Sequence, residues 1–420
     1  MTLAAITIFW LLVGWIVGQG LMAAYFMAVM ARAKRRPAAD ASCPKTAVIL
    51  CLRGADPFLE TCVEALLDQD YPCYDVHVVI DSREDPAWHA VEAIVAISSQ
   101  APKIHVEALS QRRDTCSLKC SSIVQAVAGL DETYEVVALV DADTTAHRTW
   151  LRELVAPLAD PGVGAATGNR WYMPADGSWG SLLRNQWNAA AIVQMYCYGI
   201  PWGGTLAVKT QLFRQSDLLD RWGRAFCEDT MLFRVLRQLG LRVAFVPSLL
   251  MVNRETCSIG GFSEWVRRQL LTARLYHPGW PAVVVHGLFT PVLLAASLAA
   301  LAAALAMGQA QAAAWIGAGL AVYVVPLPLL LAGLEWSVRP MVAARGEAVG
   351  WLRPATAARM LPAIFATQTL YAAALLSAMT LRMVAWRGVR YQVDGPWRIR
   401  LLEYRPYTAA APGENLPSSL

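Results

Sequence analysis

Long uncharged stretches lie towards both ends of this chain and enclose a more polar middle segment. The first runs from Leu3 to Ala31 and is followed at once by a basic cluster at positions 32–36. A transmembrane helix needs only about 20 predominantly apolar residues, so this stretch is long enough to span a bilayer. A cleavable signal peptide carries its positive charges before the apolar stretch rather than after it. Residues 1–36 are therefore predicted to form an uncleaved transmembrane anchor.

Two further uncharged stretches lie in the C-terminal half, from Leu275 to Leu334 and between Arg359 and Arg382. The first is long enough for two crossings, so residues 280–384 are predicted to be transmembrane helices. The positive-inside rule places the polar middle segment in the cytoplasm, beneath the plasma (inner) membrane or another cell membrane. A basic cytoplasmic tail is expected at 385–420, yet four crossings would put it on the opposite side. Either one stretch is re-entrant or the number of spans is different, and the sequence leaves both open.

The polar middle segment alternates short β-rich runs with helical patterns, and residues 40–255 are predicted to form one domain. In chain order the predicted elements are strand Thr46–Leu52, helix Phe58–Gln69, strand Val76–Ile80, helix Ala87–Ser98, strand Ile104–Ala108, helix Ser117–Gly129 and strand Glu135–Val140. Such alternation implies an α/β fold with a mostly parallel, doubly wound, Rossmann-like sheet. Ligands bind such sheets at the carboxyl ends of the strands. Neither a GxGxxG nor a GxxxxGK[ST] motif is present, which argues against dinucleotide and P-loop sites.

Composition narrows the class further. Hydrophobic residues make up 56% of the chain and charged residues 16%, which excludes a disordered chain and a coiled coil. The net charge of +4 is too small to indicate a nucleic-acid partner. The nine cysteines lie between Cys43 and Cys257 without paired CxxC spacing. This pattern favours free thiols in a reducing compartment, which supports the cytoplasmic assignment.

Acidic residues lie beside two of the predicted elements. Asp141 and Asp143 come directly after a buried strand, and paired carboxylates there suit Mg²⁺ or Mn²⁺ on a diphosphate. Glu228 and Asp229 precede the helical pattern Met231–Leu239. Acidic residues at this position also suit the positive end of a helix. The segment therefore fits either a catalytic carboxylate or a helix cap, and the sequence leaves both interpretations open.

A glycine pair and a basic helix complete the candidate chemistry. Trp202 is followed by Gly203 and Gly204, which form either a tight turn or a close approach of substrate to the backbone. Residues 256–279 have amphipathic spacing and are predicted to lie as a helix in the membrane interface. The polar residues of this helix could bind a diphosphate or a lipid headgroup, and both readings stay open. These residues are Arg267, Arg268, Gln269 and Arg274.

Several motifs in this order resemble a known family. They are Leu52–Pro57, Asp70–Tyr74, Asp85–Ala87, Lys119 and Trp386–Tyr391. The chain resembles membrane-embedded family 2-type glycosyltransferases, and most closely the ceramide glucosyltransferase-like branch, family 21. The resemblance runs from about Val48 to His277, with a weaker match in the tail. It implies a GT-A catalytic domain that transfers a sugar with inversion from a UDP-sugar.

The resemblance also implies roles for individual residues. Asp143, assisted by Asp141, would hold Mg²⁺ or Mn²⁺ on the diphosphate, and Asp229 would be the general base. Asp81 or Asp85 would contact the uridine, and the spacing does not choose between them. The other implied nucleotide-sugar contacts are Arg53, Gly54 and Lys119. The implied acceptor-side residues are Trp202, Gly203, Gly204 and Glu228.

One departure from the related enzymes bears on the acceptor. Where many of them carry an Arg-Trp pair on the interfacial helix, this chain has Leu271-Thr272. The pair stacks on growing sugar chains, so its absence disfavours a processive polysaccharide synthase. The leading hypothesis is transfer of one hexose, glucose first, to the hydroxyl of a membrane lipid such as ceramide or diacylglycerol. Polysaccharide synthesis, and transfer from UDP-GlcNAc or UDP-galactose to another lipid, are the alternatives.

Overall fold

The computed structural model describes residues 2–98, 100, 103–173, 176–350 and 354–407. Seven strands of the middle segment form one sheet in the order β3-β2-β1-β4-β6-β5-β7. The strands are β1 Thr46–Leu52, β2 Tyr74–Ile80, β3 Ile104–Ala108, β4 Val136–Val140, β5 Val163–Tyr172, β6 Thr205–Lys209 and β7 Arg242–Asn253. Only β6 runs antiparallel to its neighbours, β4 and β5. The predicted mostly parallel α/β fold is therefore confirmed.

Helices cover both faces of this sheet and continue into an apolar bundle. They are α1 Thr2–Arg32, α2 Leu59–Leu67, α3 Pro86–Ile97, α4 Leu118–Ala128, α5 Trp150–Val155, α6 Trp179–Tyr198, α7 Gln211–Gln215, α8 Leu218–Trp222, α9 Leu232–Gln238, α10 Ile259–Tyr276, α11 Trp280–Ala306, α12 Ala310–Val324, α13 Pro326–Ala343 and α14 Pro354–Thr380. Successive side chains of a strand point to opposite faces. Val48 and Leu50 of β1 accordingly pack in the core that contains α2 and α3, and Ile49 packs in the core that contains α4 and α9.

Four helical segments are long and apolar enough to cross a membrane. They are Thr2–Arg32, Trp280–Ala306, Ala310–Ala343 and Thr356–Thr380. Helix α1 packs along α12 and α13, and α11 packs against α12. Many large apolar side chains of these helices are exposed, as expected for surfaces that face lipid: Trp10 is 61% exposed and Trp336 is 74% exposed.

Helix α14 differs from the other three because both of its ends meet the catalytic domain. Near its start, Arg359 donates a hydrogen bond to the carbonyl of Gly177, just before α6. At its end, Arg274 of α10 donates to the carbonyls of Ala378, Met379 and Leu381. The helix packs along α10 and α6 between these points. Both ends of α14 are therefore tied by hydrogen bonds to segments outside the apolar bundle.

The segment after α14 folds as a three-stranded antiparallel sheet, which the sequence analysis did not predict. Its strands are β8 Met383–Trp386, β9 Val389–Gly395 and β10 Arg398–Tyr404. The hydroxyl of Tyr391 accepts a hydrogen bond from the backbone N–H of Leu118, and the N–H of Leu401 donates to the carbonyl of Asp114. The predicted tail at 385–420 is therefore part of the catalytic core as far as residue 407; residues 408–420 lie outside the described residues.

Candidate active site

A pocket of about 200 Å³ opens at the carboxyl ends of β1, β2 and β4. Most of the predicted site residues line it: Arg53, Asp81, Lys119, Asp141, Asp143, Trp202, Gly203, Gly204, Glu228, Asp229, Arg268 and Gln269. Four predicted residues are not part of its lining: Gly54, Asp85, Arg267 and Arg274. The topology explains the convergence, because the carboxyl ends of neighbouring parallel strands meet at one edge of the sheet.

Lys119 forms ion pairs with two of the carboxylates that line this pocket. Ser117 caps α4 by accepting a hydrogen bond from the N–H of Cys120, which places Lys119 in the first turn of that helix. The ammonium Nζ lies 2.6 Å from Asp141 Oδ1 and 2.7 Å from Glu228 Oε1. Burial alone lowers the pKa of Lys119, but the two carboxylates outweigh burial and raise this pKa well above its usual value. The lysine is therefore a permanently charged link between the strand β4 loop and the segment before α9.

Asp143 has the electrostatics of a cation ligand. Its Oδ2 accepts a hydrogen bond from Asn253 Nδ2 at 3.1 Å, whereas its buried Oδ1 has no partner among the described residues. Burial, and then the nearby charge of Asp141, raise the pKa of Asp143 to about 6. No group of three or more His, Cys, Asp or Glu side chains capable of holding a metal occurs in the described part of the chain. The two aspartates thus fit a cation whose other ligands come from a bound diphosphate.

The glycine pair is required by the close approach of the acidic side chains. A Cβ atom at Gly203 would overlap the Glu228 carboxylate. A Cβ atom at Gly204 would overlap the Trp202 ring and lie 2.6 Å from Asp141 Oδ2. Consecutive Cα atoms are only about 3.8 Å apart, so these two glycines bring the carboxylates of the two acidic segments to one place. Protein side chains therefore make the close approach seen at this pair, and the predicted approach of a substrate to its backbone stays a prediction.

Asp229 lies at the junction between the pocket and the apolar bundle. Its Oδ1 accepts hydrogen bonds from both the backbone N–H and the hydroxyl of Thr230, at 2.5 and 2.8 Å. Its Oδ2 accepts one, from the N–H of Gly203 at 2.8 Å. A carboxylate oxygen has two lone pairs, so Oδ2 keeps one that can accept a proton. Asp229 does not cap α9, since that helix starts from Met231 without a side-chain cap.

Three arginines, Arg170, Arg268 and Arg387, line the pocket and bring positive charge to its wall. Arg170 lies over the rings of Trp265, Trp202 and Tyr172 and donates a hydrogen bond to Gln269. Arg268 stacks on the ring of Trp386, with the guanidinium carbon 4.6 Å from the ring centroid. Burial, together with the charges of Arg170 and Arg387, lowers the pKa of Arg268 to about 10. These cations repel one another, so an anion between them would be stabilised.

Asp81 and Asp85 have different positions, since only Asp81 lines the pocket. Asp81 lines the pocket, pairs with Arg53 and accepts a hydrogen bond from Tyr404 at 2.9 Å. Its Oδ1 is buried without a partner among the described residues, so it has capacity for a ligand. Asp85 instead caps α3 and accepts hydrogen bonds from the N–H of Gly54 at 2.9 and 3.0 Å. Its side chain holds the β1 loop rather than facing the pocket.

Two of the residues on α10 that were predicted to bind a diphosphate or a lipid headgroup, Arg267 and Arg274, do not line the pocket. Arg274 caps the carboxyl end of α14, as described above, and Arg267 is absent from the pocket lining. Residues six apart on a helix are rotated by about 120° from one another, so Arg268 and Arg274 cannot face the same ligand. Thr272, at one position of the missing Arg-Trp pair, lines the pocket with a short side chain.

Sequence reasoning missed several residues of the pocket. They are Asp56, Arg170, Tyr172, Trp265, Trp386, Arg387 and Tyr391. Arg170 is the one charged residue of strand β5, which is buried along most of its length, and this was a usable signal. Arg387 belongs to the tail motif, but nothing in its local pattern showed that it pairs with Asp56 at 2.8 Å, far away in sequence.

A second cavity of about 270 Å³ begins where the first ends. Both are lined by Arg170, Trp202, Asp229, Gln269 and Thr272. The second continues between α1, α6, α11, α13 and α14, and its wall is mostly apolar. Its aliphatic lining includes Met22, Ala23, Leu270, Val283, Leu327, Leu330, Leu331, Leu334 and Ile364. A charged pocket outside the bundle and an apolar cavity inside it therefore meet at Asp229.

Fold, paired aspartates and a cationic wall together define an α/β transferase site suited to a substrate that carries a diphosphate. Residues 11–398 match the sequence family described as glycosyl transferase family 21. The chain belongs to glycosyl transferase family 21, as its resemblance predicted, and is a sugar-transferring enzyme. No curated protein matches the chain.

Solved structures of low sequence identity are similar to this chain. One is the mannosyltransferase PcManGT from Pyrobaculum calidifontis in complex with GDP-Man and Mn²⁺, which is 20% identical with a TM-score of 0.49; the match covers 90% of this chain and 99% of that chain. Another is glucosyl-3-phosphoglycerate synthase from Mycobacterium tuberculosis in complex with Mn²⁺ and UDP-glucose, which is 15% identical with a TM-score of 0.37; the match covers 61% and 85%.

Proposed function

We propose that this enzyme transfers one hexose, glucose first, from a UDP-sugar to the hydroxyl of a membrane lipid with inversion. The observation that carries the proposal is the meeting of the two cavities at Asp229. A water-soluble acceptor has no need of an apolar cavity between membrane helices, whereas a ceramide or diacylglycerol has two chains to place there. The polar pocket on the other side of Asp229 suits a nucleotide diphosphate sugar.

The carboxylate of Asp229 is proposed to be the general base. Its free lone pair on Oδ2 lies at the entrance of the apolar cavity, where the hydroxyl of a lipid would arrive. Thr230 and the N–H of Gly203 hold the carboxylate in place. A base must be within hydrogen-bond reach of the hydroxyl before its proton affinity matters, and a lipid hydroxyl at the cavity entrance would be within that reach. Removing the proton makes the oxygen a better nucleophile toward the sugar carbon.

The leaving group is a nucleoside diphosphate, and the site is built to stabilise its charge. Arg268 and Arg170 line the pocket, and fixed positive charge there favours the departing diphosphate. Asp143 and Asp141 would hold Mg²⁺ or Mn²⁺, which supplies further charge compensation on the diphosphate. Asp81, with its free buried oxygen, is proposed to contact the uracil, and Arg53 fixes that carboxylate.

We also propose a membrane arrangement with three crossings: α1, α11, and α12 with α13. Helix α14 would lie along the interface beside α10, because both of its ends contact the catalytic domain. This arrangement removes the conflict posed by four crossings, since the catalytic domain and the β8–β10 sheet then share one side. The basic cluster at 32–36 and the nine free cysteines support the cytoplasm as that side.

The test combines a donor panel with one substitution. Purified enzyme in nanodiscs receives a total lipid extract, Mn²⁺ or Mg²⁺, and UDP-glucose, UDP-galactose or UDP-GlcNAc in turn; products are identified by mass. We expect one hexose on a lipid. Asp229→Asn should lower kcat by about a hundredfold or more, since general bases contribute roughly 10²–10⁴ in rate, and should still bind UDP. Asp217→Asn, an exposed aspartate paired with Arg221, is the matched control.

Two results would contradict the proposal. Full turnover by Asp229→Asn would show that another group accepts the proton. A ladder of products with increasing sugar number would instead support the processive synthase.

A further inference from the structure

The C-terminal strand β10 ends beside Asp81, which lines the first pocket. The hydroxyl of Tyr404, the last residue of β10, donates a hydrogen bond to Asp81 Oδ2 at 2.9 Å. Asp81 itself follows directly on Ile80, the last residue of β2. A residue of the C-terminal sheet therefore contacts the carboxylate for which a role at the uracil is proposed above.

The same C-terminal segment also orients Arg53, the other partner of this carboxylate. Arg53 Nη1 donates to Asp81 Oδ2. Its Nε donates to the carbonyl of Arg387 at 2.8 Å, and its Nη2 donates to the carbonyl of Arg405. A guanidinium is a rigid planar fork, so the two carbonyls fix the direction of the N–H that meets Asp81. The C-terminal segment thus holds this carboxylate directly through Tyr404 and indirectly through Arg53.

The two oxygens of Asp81 differ in their remaining capacity for hydrogen bonds. Oδ2 accepts from both Arg53 and Tyr404, which uses its two lone pairs. Oδ1 is buried and has no partner among the described residues. A buried polar atom without a partner costs free energy, so Oδ1 is a place for a donor from a ligand. An ionised carboxylate only accepts, so the ligand must present an N–H or O–H there.

Two guanidinium groups hold the ring of Tyr404. The guanidinium carbon of Arg112 lies 3.9 Å from the ring centroid and that of Arg53 lies 4.9 Å from it. Both distances are within the range of a cation–π contact. Arg53 follows β1 and Arg112 follows β3, so loops on both sides of β2 support the ring. This support keeps the hydroxyl of Tyr404 directed at Asp81.

We propose that Tyr404 is a positioning residue for selection of the nucleotide: its hydroxyl keeps Asp81 Oδ2 occupied and leaves Oδ1 to accept the imide N–H of uracil. The equivalent ring nitrogen of cytosine carries no hydrogen and only accepts, so it would face Oδ1 without forming a bond. Without the hydroxyl, Oδ2 regains a free lone pair and the carboxylate can turn about its Cβ–Cγ bond. The inference rests on the proposed UDP-sugar donor and adds the C-terminal sheet to the part of the enzyme that selects it.

Tyr404→Phe removes only the hydroxyl and is the test. Binding of UDP and of CDP to the full-length enzyme in nanodiscs with Mn²⁺ is measured by calorimetry. The unaltered enzyme should prefer UDP, and Tyr404→Phe should lose about five- to tenfold in UDP affinity and less than about twofold in CDP affinity. With UDP-glucose as the donor, KM should rise by the same factor while kcat changes by less than about twofold, because Asp229 is unchanged.

Tyr134→Phe is the matched control. The hydroxyl of Tyr134 donates to Asp75 Oδ2 at 2.7 Å, a bond of the same kind at the opposite end of β2. This variant should keep the affinities of the unaltered enzyme for both nucleotides. Inorganic pyrophosphate, which has no base, should bind all variants equally and so reports an intact diphosphate site.

Arg112→Gln is the second variant, should Tyr404→Phe fold poorly. Arg112 is exposed, and its loss removes one of the two cations from the ring of Tyr404. The preference for UDP over CDP should fall by about twofold in this variant, in the same direction as in Tyr404→Phe.

The outcomes separate this inference from the proposed function. An unchanged preference for UDP in Tyr404→Phe would overturn the role of Tyr404 while the proposed donor stands. An equal loss of affinity for UDP, CDP and pyrophosphate would also overturn it, because Tyr404 would then only support the fold of the pocket. Equal affinity of the unaltered enzyme for UDP and CDP would overturn the proposed contact of Asp81 with uracil, and the inference with it.

Discussion

Removal of the Lys119 ammonium tests the electrostatic core of the site. In Lys119→Met, Asp141 and Glu228 keep their positions and lose the cation between them. At 2.6 and 2.7 Å, and an effective dielectric constant of about 20, each ion pair corresponds to about 6 kcal/mol of Coulomb energy. Desolvation of the buried ammonium offsets much of this sum. Breaking a buried pair by deleting one partner typically costs about 3–5 kcal/mol. The Lys119 and Asp141 side chains keep 20% and 27% of their surface exposed, so a loss at the lower end of this range, about 3 kcal/mol, is expected.

The loss should appear as a lower midpoint of thermal unfolding in detergent, by roughly 10 °C. Lys209→Met is the control, because the ammonium of Lys209, at the end of β6, donates to the exposed backbone carbonyl of Asp160. Adding Glu228→Gln to Lys119→Met should recover part of the stability, since one carboxylate then stays charged instead of two. UDP and Mn²⁺ affinity, measured by calorimetry, should fall in Lys119→Met as Asp141 becomes more readily protonated.

The reasoning fails if Lys119→Met unfolds within about 2 °C of the unaltered enzyme. It also fails if the double variant is no more stable than the single one, because repulsion between the two carboxylates would then not be the cause of the loss.

Two further predictions concern the glycine pair and a buried histidine. Gly203→Ala should abolish most sugar transfer, because the added Cβ would overlap the Glu228 carboxylate. Gly317→Ala is the control and should retain activity in the same assay, since the space around Gly317 is open. Equal activities of the two variants would contradict the packing described here. Burial and then a neighbouring imidazole lower the pKa of His77 to about 4, below its usual value near 6.5. The unfolded chain therefore binds the proton first, and stability present above pH 6.5 declines as pH falls toward 4. His77→Phe should flatten this decline in thermal melts, and the exposed His89→Phe should not.

The sheet was predictable because its strands are short apolar runs bounded by charged or turn-forming residues. Strands β1 and β3 have the bounds that were predicted, and α3 and α4 differ by about one residue at each end. The carboxylates at strand ends were predictable for the same reason, since topology brings those ends together. Strand β9 was missed although Tyr391 and Val393 alternate with polar residues, because the basic composition of the tail suggested a solvated segment.

Other parts of the site depend on contacts that no local pattern encodes. The ion pair between Arg387 and Asp56 connects the C-terminal sheet to the loop after β1. Asp81 and Asp85 can be told apart only in the structure, where Asp85 caps α3 and Asp81 lines the pocket. Helical rotation separates Arg268 from Arg274, but only the position of α14 shows what Arg274 does instead. The length and composition of α14 predict a membrane span, and its contacts at both ends are the reason for proposing that it lies along the interface instead.

The late position of the β8–β10 sheet has a consequence for biogenesis. Trp386 and Tyr391 line the first pocket, yet they are translated after all four candidate membrane spans of the described residues. During synthesis the earlier domain can fold its sheet and position its aspartates while that wall is still missing. A ribosome-bound or prematurely terminated chain would thus hold an open, unfinished pocket, so the enzyme gains its full binding site only when membrane insertion has ended.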